Sequence, residues 1–272
     1  MQDFSYRSHP GAALITGASS GLGEVFARQL AARGYNLVLT ARRTERLNAL
    51  AAELVFRHNI QVESLTADLG TESGIHQIES HIATMADLEL LVNNAGFGIR
   101  DNFRDGSLQK HLNMIEVHVL ASVRLTYHAL PGMIAHKKGG IINVSSVAAF
   151  VPGHVSYSAT KAYLVAFSRA LAAELTGTGV HVQALCPGFI HTEFHSTSEN
   201  KGFKRASIPK ILWLSADHVV SDSIQAILRG RPVVCIPGFQ YQFISWIARS
   251  PVTSDIVQAV AGRLKAHRYR QV

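Results

Sequence analysis

The stretch Leu14–Gly23, L-I-T-G-A-S-S-G-L-G, constrains this chain more than any other. A short apolar run, Ala12 to Ile15, leads into it, and a helical pattern from Glu24 to Arg33 follows. Strand, glycine-rich turn and helix together make a seat for a nucleotide pyrophosphate. Glycines permit positive φ and let phosphates approach the backbone, while the helix N-terminus offers free N–H groups and partial positive charge. The glycines fall at 17, 21 and 23, giving T-G-x-x-x-G-x-G rather than G-x-G-x-x-G. Glycine also serves ordinary strand-to-helix corners, so the turn needs its context.

The context is a regular alternation of strand-like and helix-like segments. Strands are expected at Ala12–Ile15, Asn36–Thr40, Gln61–Thr66, Leu88–Val92, Gly140–Val144, Val180–Leu185 and Val233–Ile236. Between them the spacing predicts helices: one capped by Thr44 and running to Phe56, one from Thr71 to Thr84, and one long helix from Ser107 to Ile134. Further helices are expected over Tyr157–Leu175 and Val219–Leu228. Strands separated by helices imply parallel β-α-β units with right-handed crossovers. Unbroken apolar strands suit a sheet covered on both faces. The prediction is a single α/β domain over residues 1–272, a Rossmann-type doubly wound parallel sheet of about seven strands. With 47% hydrophobic and 17% charged residues, disorder is excluded. The net charge of +7 permits an anionic partner without naming one. The cations are dispersed, which argues against nucleic acid. The two cysteines, Cys186 and Cys235, lie among apolar residues and read as buried free thiols. With no signal-like N-terminus and no apolar run of transmembrane length, the expected location is cytoplasmic. No metal site is predicted.

In a doubly wound sheet the ligand sits beyond the carboxyl ends of the strands. After the second strand come Ala41, Arg42 and Arg43, with no carboxylate to hold a ribose 2′-OH. An arginine there accommodates a 2′-phosphate, so NADP is expected, with NADPH preferred over NADH and Arg42 the nearer ligand. The plainer reading makes both arginines solvated charges at a helix entry. Asp68-Leu69 follows the third strand, placed to accept from an adenine amine, and Asn93-Asn94-Ala95-Gly96 follows the fourth. After the fifth comes Ser145-Ser146, and eleven residues beyond Ser146 begins Tyr157-Ser158-Ala159-Thr160-Lys161. Positions i and i+4 share a helix face, so Lys161 can approach the Tyr157 phenol. The expectation is that the ammonium lowers the phenol pKa from its ordinary value near 10. A serine hydroxyl can hold a substrate oxygen beside it.

These blocks in this order resemble the short-chain dehydrogenase/reductase family, in its ketoacyl-reductase-like branch. T-G-A-S-S-G-L-G at 16–23, N-N-A-G at 93–96, N-V-S-S at 143–146, Y-S-A-T-K at 157–161 and P-G at 187–188 with Thr192 carry the resemblance over roughly residues 11 to 236. It implies Tyr157 as acid/base, Ser146 as carbonyl polariser and Lys161 as ribose ligand and pKa modifier. It implies cofactor contacts from Thr16, Gly17, Ser19, Ser20, Gly21, Leu22 and Gly23. Asp68, Leu69, Asn94, Ala95 and Gly96 would lie by the adenosine side, and Pro187, Gly188 and Thr192 by the nicotinamide. Two departures stand out. His118 occupies the place of the family's relay asparagine. It either holds a water and titrates within the pH profile or is a packed helix histidine. The serine-to-tyrosine spacing is also about two residues short, which leaves Ser145 as an alternative to Ser146.

Residues 187–213 are expected to form a substrate loop. Its basic residues, His191, His195, Lys201, Lys204, Arg205 and Lys210, are either solvated or a clamp for thioester phosphates. Phe189, Phe194, Phe203, Ile208, Ile211, Leu212 and Trp213 suggest a hydrophobic carbonyl substrate. Residues 238–272 form a C-terminal extension, with a helix capped by Ser254 that packs on its own domain or a sister subunit. Membrane-surface contact through this tail is the minority alternative. The function expected is an NADPH-dependent carbonyl reductase, assembled as a homodimer or homotetramer. A non-catalytic dinucleotide-binding module is the rival.

Overall fold

A computed structural model describes residues 10–99, 103–151, 153–193 and 208–249. The helix expected from Ser254 and the whole basic stretch from His195 to Arg205 lie outside the described residues.

The seven expected strands form one parallel sheet. They are β1 (Ala12–Thr16), β2 (Asn36–Ala41), β3 (Val62–Thr66), β4 (Leu88–Asn93), β5 (Gly139–Val144), β6 (Val180–Leu185) and, after two short strands, β9 (Val234–Cys235). Their order is β3-β2-β1-β4-β5-β6-β9, so the chain reverses direction across the sheet between β1 and β4. The crevice above that reversal is where such sheets take ligands. The remaining pair, β7 (Phe189–Ile190) and β8 (Trp213–Leu214), runs parallel and brings the two ends of the segment between them together.

Alternation along the strands explains the two-faced burial. Ala13 and Ile15 of β1 point into a core with Phe26, Leu30, Leu47 and Ile224. These belong to α1 (Gly21–Ala31), α2 (Thr44–His58) and α7 (Ala216–Leu228). Leu14 points the opposite way, toward Ile75, Ile78, Leu125 and Leu171. Those lie on α3 (Glu72–Thr84), α5 (Ala121–Ala135) and α6 (Val155–Glu174). A period of two therefore serves two cores at once. Both cysteines are free and buried. Among the described residues, no helix is long and apolar enough to cross a membrane.

Two expectations are corrected. Thr44 is the first helical residue of α2, not its cap, and its hydroxyl pairs with Thr66 Oγ1 at 2.9 Å. Thr71, by contrast, does cap α3, accepting from Gly74 N–H at 3.1 Å. The predicted long helix over 107–134 is not uniform. It consists of α4 (Leu108–Ile115), a π-helical stretch over Glu116–Leu120, and α5. The widened turn is centred on His118. Such bulges recur at functional sites.

Candidate active site

The glycine turn is fastened before any ligand is considered. Thr16 Oγ1 accepts the N–H groups of Asn94 and Ala95, each at 2.9 Å, and donates to the Val92 carbonyl at 3.3 Å. The Asn94 amide donates to the carbonyls of Thr16 at 2.8 Å and Gly17 at 3.3 Å. The ends of β1 and β4 are thus joined side to side. Gly17 has φ +66°, which favours glycine. A Cβ on Gly23 would stand 2.3 Å from the Gly17 carbonyl oxygen, so no side chain fits where α1 meets the turn. This is a cradle that dinucleotide phosphates fit. Asn94 supports the turn through its side chain, a role its position after β4 did not announce.

Arg42 and Arg43 are separated by the structure. Arg43 turns to the glycine turn, its Nε donating to Ser19 Oγ at 3.1 Å and an Nη to the Ser19 carbonyl at 3.2 Å. Arg42 is exposed and faces Asp68 at 4.0 Å. Asp68 Oδ1 also accepts the Gly70 N–H at 2.9 Å. Arg43 therefore lies against the cradle, whereas Arg42 had been expected to be nearer.

The catalytic candidates converge at the carboxyl ends of β5 and β6. The two serines have different partners. Ser145 is buried, with its hydroxyl donating to the Lys161 carbonyl at 2.7 Å. Ser146 Oγ accepts the Ala148 N–H at 3.1 Å, donates to the Pro187 carbonyl at 3.4 Å, and hydrogen-bonds Tyr157. That places Ser146, not Ser145, beside the phenol. Lys161 is buried and its ammonium donates to the Val144 carbonyl at 2.8 Å, with Nζ 5.7 Å from the Tyr157 ring centre.

The expected lowering of the phenol pKa is reversed. Burial pushes Tyr157 up to about 12, with the Ser146 hydrogen bond opposing. The same burial pulls Lys161 down to about 8. Removing water disfavours whichever form carries charge, so the pair is driven toward neutral phenol and a readily neutralised amine.

His118 is buried with both ring nitrogens engaged. Nε2 accepts the Phe97 N–H at 3.0 Å, which leaves Nδ1 to carry the proton and donate to Thr160 Oγ1 at 3.0 Å. The Thr160 hydroxyl then donates to the Tyr157 carbonyl at 3.0 Å. The ring stands edge-on to Phe97 and to Tyr157, at 5.7 and 5.9 Å. Burial, and next the Lys161 charge, holds its pKa well below the ordinary histidine value. A titration of His118 near neutrality is therefore not expected. The imidazole bridges the segment after β4 to α6.

Sequence reasoning missed Tyr241. This buried residue lies on α8 (Phe239–Arg249), and its hydroxyl accepts the Phe189 N–H at 2.9 Å while donating to the Leu212 carbonyl. It ties the backbone at Phe189 to that at Leu212. A tyrosine three residues past a glycine carries no local signal of that contact.

Residues 11–202 match the short chain dehydrogenase family model. The chain belongs to the short-chain dehydrogenase family. It is 34% identical over 183 residues to the 3-oxoacyl-[acyl-carrier-protein] reductase of Aquifex aeolicus, covering 66% of this chain and 74% of that one. It is 32% identical over 190 residues to the human inactive hydroxysteroid dehydrogenase-like protein 1, covering 68% of this chain and 58% of that one. A short-chain dehydrogenase from Sphingobium yanoikuyae, solved in complex with NADPH, superposes with a TM-score of 0.78. The identity is 30%, over 94% of this chain and 95% of the other. This short-chain dehydrogenase is accordingly a nicotinamide-cofactor oxidoreductase acting on CH–OH groups.

Proposed function

We propose that the protein is an NADPH-dependent reductase of an apolar ketone, a 3-oxoacyl thioester or a steroid-like carbonyl being the favoured classes. The observation that carries this reading is the meeting of Ser146, Tyr157 and Lys161 beneath Pro187. The Gly17–Gly23 cradle would hold the pyrophosphate, and Arg43 the 2′-phosphate, with Asp68, Ala95 and Gly96 on the adenosine side. Pro187, Gly188 and Thr192 would flank the nicotinamide, which when bound supplies the hydride to the carbonyl carbon.

The chain's own groups handle the proton. The Tyr157 phenol, kept protonated by its burial, donates its hydrogen to the carbonyl oxygen as negative charge develops there. Ser146 holds that oxygen in line. Lys161, anchored on the Val144 carbonyl, stabilises the phenolate left behind. Phe189 and Trp213 lie side by side at the loop base, ring centres 5.7 Å apart, and offer an apolar wall. The similarity to the A. aeolicus 3-oxoacyl-[acyl-carrier-protein] reductase and the basic residues of the 187–213 segment favour the thioester class. On α4, Leu108, Leu112 and Ile115 are exposed at helical spacing, which supports a homodimer or homotetramer built on that face.

The test is a screen of purified protein with NADPH and NADH against 3-oxoacyl thioesters, steroids and bulky ketones, following cofactor absorbance. Turnover of one class with NADPH preferred is the expected result. Tight NADPH binding with no turnover of any ketone would favour the non-catalytic dinucleotide-binding module.

A further inference from the structure

Beyond β7 the chain passes through Thr192 to Glu193, beside the cradle. The Thr192 side chain lies 3.6 Å from where a Cβ on Gly21 would stand. Glu193 reaches α2. One Nη of Arg46 donates to both of its carboxylate oxygens, at 3.1 and 2.9 Å, and an Nη of Arg43 lies 3.4 Å from Oε2. The Nε and the other Nη of Arg43 donate to Ser19. Two guanidiniums one helical turn apart, at the rim of a phosphate cradle, are therefore holding an anion that the chain itself supplies.

We propose that Glu193 is a cofactor-specificity residue, an internal competitor for the two-arginine fork formed by Arg43 and Arg46. This rests on the reading of Arg43 as the 2′-phosphate ligand and adds Arg46 to it. A guanidinium has five N–H donors in a fixed plane; Arg43 directs two of them at Ser19 and one at Glu193. A 2′-phosphate seeking this fork meets a carboxylate already there. Two anions cannot share the donors without strong repulsion, so one must leave. Glu193 is 56% exposed on its side chain, and ion pairs this open to water are held weakly. The dianionic phosphate, with more acceptor oxygens, displaces it, but with an affinity reduced by the competition. A cofactor with a bare 2′-OH does not contest the fork. Glu193 thereby narrows the gap between NADPH and NADH. It also couples occupancy of the fork to the start of the substrate loop, because Thr192 is its neighbour in the chain.

The experiment is calorimetric titration of the full-length protein with adenosine 2′,5′-bisphosphate and with 5′-AMP, then with NADPH and NADH. Wild type is compared with Glu193→Gln. The substitution is expected to tighten the two 2′-phosphorylated ligands by roughly two- to fivefold, the size exposed ion pairs supply. AMP and NADH should stay within about twofold, and the gain should shrink as salt is raised. Unchanged or weaker binding of the bisphosphate, or equal tightening of AMP, would overturn the competition while leaving the 2′-phosphate site intact. Equal wild-type binding of bisphosphate and AMP would overturn the 2′-phosphate reading itself.

Discussion

The ring of Tyr241 fills the space in front of Gly188. A Cβ on Gly188 would stand 1.9 Å from the Tyr241 Cζ. Alanine at 188 must push the ring away, so Gly188→Ala is expected to cost about 3 kcal/mol, at the upper end for an overpacked site. Tyr241→Phe keeps the ring and strands the Phe189 N–H and Leu212 carbonyl, at about 1–3 kcal/mol. Its catalytic signature should be a raised KM for the ketone with unchanged NADPH affinity. Thermal denaturation and steady-state kinetics measure both. A Gly188→Ala protein as stable as wild type would show that the contact yields freely.

Tyr157→Phe should abolish turnover and leave NADPH binding within about twofold, because the phenol donates a proton without being a main anchor of the cofactor. Fluorescence titration beside a turnover assay separates the two. Residual activity near wild type would remove Tyr157 from the proposed mechanism.

The pH profile follows from two opposed shifts. Tyr157 near 12 stays a proton donor throughout the accessible range. Lys161 near 8 is charged below that pH and neutral above it. Ketone reduction should therefore fall as pH rises through about 8, with no acid limb from His118. His118→Asn should leave the shape of the profile unmoved. An acid limb near pH 6 that disappears in His118→Asn would mean that the imidazole titrates. The lowered Lys161 value has a stability counterpart. Between about 8 and the ordinary lysine value the unfolded chain binds the extra proton, so Lys161's contribution to stability rises with pH across that window. Its contribution is lost as pH falls through 8.

Cofactor choice should depend on Arg43 more than on Arg42. Charge-assisted hydrogen bonds are worth roughly 1.5–3 kcal/mol, so Arg43→Leu should weaken NADPH at least tenfold and NADH little. Arg42→Leu, remote from Ser19, should have the smaller effect. Affinities measured for both variants decide it, and the reverse order would restore Arg42 as the phosphate ligand.

The parts legible in the sequence were those with local periodicity. Apolar runs marked β1, β2, β4, β5 and β6 because these strands are covered on both faces, whereas the edge strand β3, V-E-S-L-T, is only partly covered. Tyr157 and Lys161 were legible because i and i+4 must share a helix face. The π-helical stretch was not, since Glu116–Leu120 contains neither glycine nor proline to signal a break. Contacts between distant positions left no pattern either. Asn94 meets Thr16 across 78 residues, Tyr241 meets Phe189 across 52, and Glu193 meets Arg43 across 150. The Tyr157 pKa failed for a different reason. The spacing showed an ammonium nearby, but not that the surrounding protein would exclude water from both groups.

The clamp between Thr16 and Asn94 has a thermodynamic consequence. Its hydrogen bonds fix the glycine turn as part of folding, so the conformational freedom of that segment is already gone when a dinucleotide arrives. Ordering a residue's backbone costs roughly 1–2 kcal/mol in entropy, and here association is spared that loss for several residues. Loosening the clamp, as Thr16→Val would by removing the hydroxyl that holds Asn94, Ala95 and Val92, should therefore weaken the cofactor. The deficit should appear in calorimetry as a less favourable binding entropy, with the enthalpy of the phosphate contacts largely retained.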